Sequence, residues 1–185
     1  MKRALILLLF LAACKEEVAQ NIDPVALTEE AVGHFCQMNL FEHEGPKAQV
    51  HLEGLPGTPL FFSQVRDAVA YQRLPEQSHP ILAIWVNDMG APGATWSEPG
   101  NENWIDAKTA HYVIGSSWDG GMGAPELVPF AEHEAALAFA AEHGGTVTRL
   151  DAIPDDAVIA PVSTAEGEDP EFEHRLKALS DKTGG

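Results

Sequence analysis

Two stretches of this chain repeat one helical spelling in one setting, and the repetition limits the fold more than any other feature. Phe62 is followed after five residues by Ala68-Val69-Ala70-Tyr71, and Phe130 after five by Ala136-Leu137-Ala138-Phe139. Around the first copy, Ala48 to Glu53 alternates as a strand, Phe61 to Arg73 carries a helical period, and Ile81 to Val86 is a strand-like run of branched and aromatic residues. Around the second, His111 to Gly115 reads as a strand, Phe130 to Glu142 as a helix and Thr146 to Leu150 as a strand. Adding a leading strand to each half gives an α+β fold of two related ββαβ halves, about residues 31–90 and 105–160. Any two core-facing helices could share such spacings. The shared order of strands around them favours duplication, and a site between the halves is expected.

The connection from Asp88 to Lys108 contains Gly90, Pro92, Gly93, Pro99 and Gly100, and is expected to be a hinge or exposed loop. Trp96 and Trp104 flank its centre as packing anchors.

At the N-terminus, Met1-Lys2-Arg3 precedes an apolar run, Ala4 to Leu11, and then Ala12-Ala13-Cys14. A basic start, a short apolar core and small residues before a cysteine describe a signal peptide, residues 1–13, ending in a lipobox. Cys14 is then the acylated first residue of the mature protein, and residues 14–30 form a lipidated tether. The lipid, rather than a spanning helix, is the expected membrane attachment. A domain over 31–162 follows, and 163–185 reads as an acidic flexible tail. Loss of Lys2 and Arg3 leaves 9 of 11 basic residues against all 28 acidic ones, a formal charge of −19. Such a surface repels phosphate backbones, so nucleic acid is excluded as a partner.

With Cys14 acylated, Cys36 has no cysteine to pair with in a disulfide-permissive compartment. It stands in Cys36-Gln37-Met38, where an extended backbone would put both sulfurs on one face. Met122 lies between Gly121 and Gly123, whose freedom would let the loop swing a third sulfur onto the pair. Thiolate and thioether select a soft monovalent ion, so Cys36, Met38 and Met122 point to a trigonal copper(I) site rather than a zinc site. His34 and His43 are the nearest imidazoles and could add a ligand; the other histidines have no convincing partner spacing. Two other readings stay open. One is a thiol enzyme using Cys36 with His34 or His43 as base, and the other is a metal-free docking lipoprotein.

Several longer stretches sharpen the choice. Leu40-Phe41-Glu42-His43-Glu44-Gly45-Pro46-Lys47-Ala48-Gln49-Val50 follows the Cys-x-Met pair; Ala110 to Ser116 and Gly121-Met122-Gly123-Ala124-Pro125-Glu126-Leu127-Val128-Pro129-Phe130 come later. Together with Leu11-Ala12-Ala13-Cys14, these make the chain resemble the NosL family, the accessory lipoproteins of nitrous oxide reductase, from the lipobox to about Ala160. The resemblance implies a non-enzymatic copper(I) chaperone on the periplasmic face of a bacterial membrane. It would take one ion as cargo from an upstream copper donor and deliver it for the multinuclear centre of nitrous oxide reductase apo-protein. It also implies two ββαβ halves similar to the organomercurial lyase arrangement, without lyase chemistry, which uses paired cysteines. The family's sulfur ligands fall on Cys36, Met38 and Met122.

Overall fold

The computed structural model describes residues 19–159. The signal peptide, Cys14 and the acidic 163–185 segment lie outside the described residues.

Strands β1 (Ala48–Leu52) and β2 (Leu60–Phe62), helix α1 (Val65–Arg73) and strand β3 (Ile81–Asn87) form the first ββαβ unit. After β4 (Trp104–Asp106) come β5 (His111–Ile114), β6 (Val128–Phe130), α2 (His133–His143) and β7 (Thr146–Thr148), the second unit, and then α3 (Asp156–Ile159). The sheets run β2-β1-β3-β4 and β6-β5-β7. In each unit the first strand is central and antiparallel to both neighbours. Phe62 and Phe130 each end the second strand, the helix starts three residues later, and Ala68 and Ala136 are both fully buried on it. The shared spelling is therefore a positional equivalence, and Phe61, Phe62 and Phe130 belong to strands rather than to the helices expected there.

Local chemistry sets the helix ends. Leu74 precedes Pro75, which disfavours helical backbone before it, and α1 stops at Arg73. Gly144, at φ 75°, ends α2 in a conformation that side chains resist.

Every residue of β1 is buried, because both faces are covered. Ala48, Val50 and Leu52 join the main core, which also holds Val69 and Val86 and reaches Tyr112 and Leu127 of the second half. Gln49 and His51 face the other way. The Gln49 side chain accepts from Val25 N–H and donates to Val25 O, both at 2.9 Å, and its Oε1 lies 3.0 Å from His51 Nε2. Gln20 clamps Leu52 O and Gly54 N–H, and Trp85 Nε1–H donates to Ile22 O. From residue 19 the expected tether is thus a strap sealed onto the sheet, with Leu27 buried. Burial depresses the basicity of His51, with Asp23 opposing.

The Asp88–Lys108 connection also differs from expectation, because β4 within it extends the first sheet by pairing with β3. Its tryptophans do pack as anchors. Trp96 stacks on Trp118 with ring centroids 4.7 Å apart, and Trp104 packs against the Leu27, Ala31 and Leu40 cluster.

Candidate metal site

The segment bearing Cys36 is a closed loop and not a strand. Gly33 N–H donates to Met38 O and Gln37 N–H to Gly33 O, each at 2.9 Å. Gln37 lies at φ 55°, in the left-handed region, and its side-chain amide returns to the carbonyls of His34 and Gly33 at 2.7 and 3.3 Å. A left-handed residue between Cys36 and Met38 cancels the two-residue alternation on which a shared face depended. Isolated bridges from Val32 to Asn39 and from Gly33 to Phe61 pin the loop's base, closing it over too few residues for extended backbone. A Cβ on Gly33 would overlap Cys36 Sγ, so the half-buried thiol lies folded over that glycine.

Met122 occupies the tip of a short hairpin between β5 and β6. Asp119 bridges Pro125, Gly120 N–H donates to Ala124 O and Gly123 N–H to Gly120 O, the latter two at 2.8 Å. Gly123 has φ 73°, which only glycine adopts freely. At Gly121 a Cβ would lie 2.6 Å from His43 Cβ and 2.9 Å from Glu44 O. This glycine therefore permits close packing against the first half, in place of the freedom to swing that its sequence suggested. His43 Nδ1 lies 3.0 Å from Gly121 O, so the ring must carry its proton there to donate. Lys47 shapes the facing turn by donating from Nζ to the carbonyls of His43 (2.7 Å), Glu44 (3.1 Å) and Gly45. The His-x-Gly-Pro-Lys stretch is thus a stapled turn that receives the methionine hairpin.

These two segments meet in an open cavity of about 350 Å³ whose lining includes Phe35, Cys36, Gln64, Arg66, Asp67 and Met122. Cys36 comes from the first half and Met122 from the second, as expected of a site between halves. Met38 is outside that lining, and its side chain is exposed on the same closed loop. His34 is turned into an aromatic cluster, 5.4 Å from Tyr71 and 5.6 Å from Phe62 between ring centroids. Among the described residues, no hydrogen bond joins Cys36 to His34 or His43, so the nucleophile-and-base arrangement is not assembled. Nor do any three or more His, Cys, Asp or Glu side chains among the described residues gather to hold a metal ion. The cavity offers one thiol and one thioether, donors that suit a soft ion better than zinc, calcium or magnesium.

Near the sulfurs lie buried titratable side chains. Burial lowers Lys47 to about 8, with Glu126, Glu44 and Cys36 opposing that fall. Burial raises Glu126 to about 8, opposed chiefly by the backbone N–H groups of Arg66 and Leu127. Asp67 is raised by its burial, and the Arg66 guanidinium pulls it back. Lys47 and Glu126 lie inside the stretches that carry the family resemblance, whereas Gln64 and Arg66 lie in the polar run Ser63-Gln64-Val65-Arg66-Asp67 outside them. A lone acid between Pro125 and Leu127 is the one legible sign of Glu126's role.

Residues 24–158 match the family NosL. The chain belongs to the NosL family. A copper-binding lipoprotein NosL of Achromobacter cycloclastes is 56% identical over 181 residues, covering 96% of this chain and 93% of that protein. Its namesake from Stutzerimonas stutzeri is 34% identical over 166 residues, covering 88% and 83%. The crystal structure of the copper chaperone NosL from Shewanella denitrificans superposes with a TM-score of 0.65 at 29% identity, over 71% of this chain and 95% of that one. NosL relatives are thus named as copper-binding proteins and chaperones rather than enzymes. Among the described residues of this NosL chain, no helix is long and apolar enough to cross a membrane.

Proposed function

We propose that this protein is a lipid-anchored periplasmic chaperone that carries one copper(I) ion on Cys36, Met122 and Met38 to the apo-form of nitrous oxide reductase. The observation that carries the reading is the convergence of Cys36 and Met122, from opposite halves, on one open cavity. A thiolate supplies charge and the thioethers supply softness, which suits copper(I). Met38 would complete the set by folding inward from the exposed rim of the 33–38 loop. Val32, Phe35, Met38 and Phe41 leave apolar side chains exposed on that segment, giving a receiving protein a dry surface beside the ion. Cys14 would hold the carrier to the membrane.

Copper stoichiometry of the soluble domain, purified under reducing conditions, tests the reading. One copper(I) per wild-type chain and none retained by Cys36→Ser are expected. The loaded wild type should restore nitrous oxide reduction to copper-free reductase and the variant should not. Rescue by Cys36→Ser would favour a docking protein, and substrate turnover without metal would favour a thiol enzyme.

A further inference from the structure

The methionine hairpin is fastened to the opposite half by a buried acid. Glu126 is 1% exposed and sits at the hairpin's base, where its N–H donates to Trp118 O. Its Oε1 accepts Leu127 N–H at 2.8 Å and Arg66 N–H at 3.0 Å. Arg66 is the second residue of α1, whose own cap residue, Gln64, makes no side-chain cap bond. Glu126 therefore satisfies an orphan donor of a helix 60 residues away in sequence. Gln64 instead spans the same junction, donating from Nε2 to Ala124 O at 3.3 Å. A Cβ on Gly120 would strike Gln64 Nε2 and lie 2.5 Å from Glu126 Oε2, which is buried without a hydrogen-bond partner. The base of the hairpin is thus packed directly onto the first turn of α1, and the same turn contributes Arg66 and Asp67 to the cavity shared by Cys36 and Met122.

We propose that Glu126 is a positioning residue for copper binding, locking the Met122 hairpin to the start of α1 so that the thioether is held in register with Cys36. The proposal rests on Met122 being a ligand. Pre-set ligands bind without having to be ordered at the moment of binding, so loosening the lock should weaken copper affinity through Met122 alone. Because burial favours the protonated carboxyl, glutamine is a close replacement that keeps the Oε1 acceptor.

The test measures copper(I) affinity by chelator competition, below the melting transition of each variant. Met122→Ala should lower affinity by about tenfold or more. Glu126→Leu should lower it by several-fold to tenfold, and Glu126→Gln should remain within about twofold of wild type. In the Met122→Ala background, Glu126→Leu should cost nothing further, because the group it positions is gone. Should Glu126→Leu fail to fold, Gly120→Ala disturbs the same junction and carries the same two expectations. No effect of Met122→Ala would remove the ligand assignment and the inference with it. A full effect of Met122→Ala with none from Glu126→Leu or Gly120→Ala would overturn the inference alone. So would an equal loss with and without Met122, which would mark Glu126 as a general stability residue.

Discussion

Gly33→Ala tests where the thiol must sit. Gly33 is not in the left-handed region, so alanine suits its backbone and the added Cβ is the whole perturbation. That Cβ would occupy the space of Cys36 Sγ; the next neighbours, Leu40 Cδ2 at 3.5 Å and Ser63 N at 3.8 Å, stay in ordinary contact. The thiol can yield by rotating to another staggered position, moving its sulfur by roughly 3 Å. Ligand distances tolerate about 0.2 Å, so this shift removes the thiolate from the site as effectively as mutation would. The fold should lose only about 1–3 kcal/mol for the local repacking, a fall in melting temperature of roughly 2–12 °C. Chelator competition should therefore report a loss of copper(I) affinity close to that of Cys36→Ser, while a thermal melt shows a cooperative domain. Wild-type affinity in folded Gly33→Ala would refute the reasoning, since copper would then be bound from another orientation of Cys36.

Other outcomes follow from the same site. Met38→Ala and Met122→Ala should each weaken copper(I) less than Cys36→Ser, and wild-type protein should prefer copper(I) to zinc in competition, since thioethers suit the softer ion. Thiols bind copper as thiolates, so loading should release up to about one proton in calorimetry in buffers of different ionisation heat, and affinity should fall with acidity. Cys14→Ser should leave the membrane fraction with copper binding unchanged; persistence there would reveal a second attachment surface. Glu126 is raised from 4.5 to about 8, so its contribution to stability is full below pH 4.5 and lost as pH rises through 8, by at most roughly 5 kcal/mol. Melts between pH 5 and 8 should show that decline in wild type and not in Glu126→Gln.

The fold was legible wherever periodicity and burial agree. The branched run of β3 and the shared Phe and Ala positions before and within α1 and α2 report the two units directly, whereas the alternation of β1 marks a strand but not the burial of Gln49 and His51. Where one side chain serves a remote partner, the signal fails. Nothing near Gln49 shows that its amide will clamp Val25, so residues 19–27 resemble a tether although they cover a face of β1. Nor does the order Cys36-Gln37-Met38 reveal the left-handed Gln37, which depends on bonds to Gly33 and His34. Ligand softness is a property of residue type, so it singled out Cys36 and Met122 from the sequence, and both line one cavity. Glu126 escaped because its role is defined by the Arg66 N–H, a contact that topology makes and composition does not.

Cys36 and Met122 come together where the two halves stop being equivalent. Their strands and helices correspond one for one, yet the first connection between paired strands spans residues 53–59 and the matching one in the second half spans 115–127. The shorter connection turns tightly through Gly54 and Gly57, around which a Cβ would meet nothing. In the longer one the chain has enough length to cross over, lay Gly120 and Gly121 against the first half, and present Met122 there. Cys36 likewise precedes the first ββαβ unit and has no counterpart ahead of the second. Duplication thus supplies two rigid sheets sharing a core, while the extra segments on each supply one sulfur apiece. Under the proposed function, an ion held by loops at an open cavity would bind or leave without disturbing either sheet, which handing copper on requires.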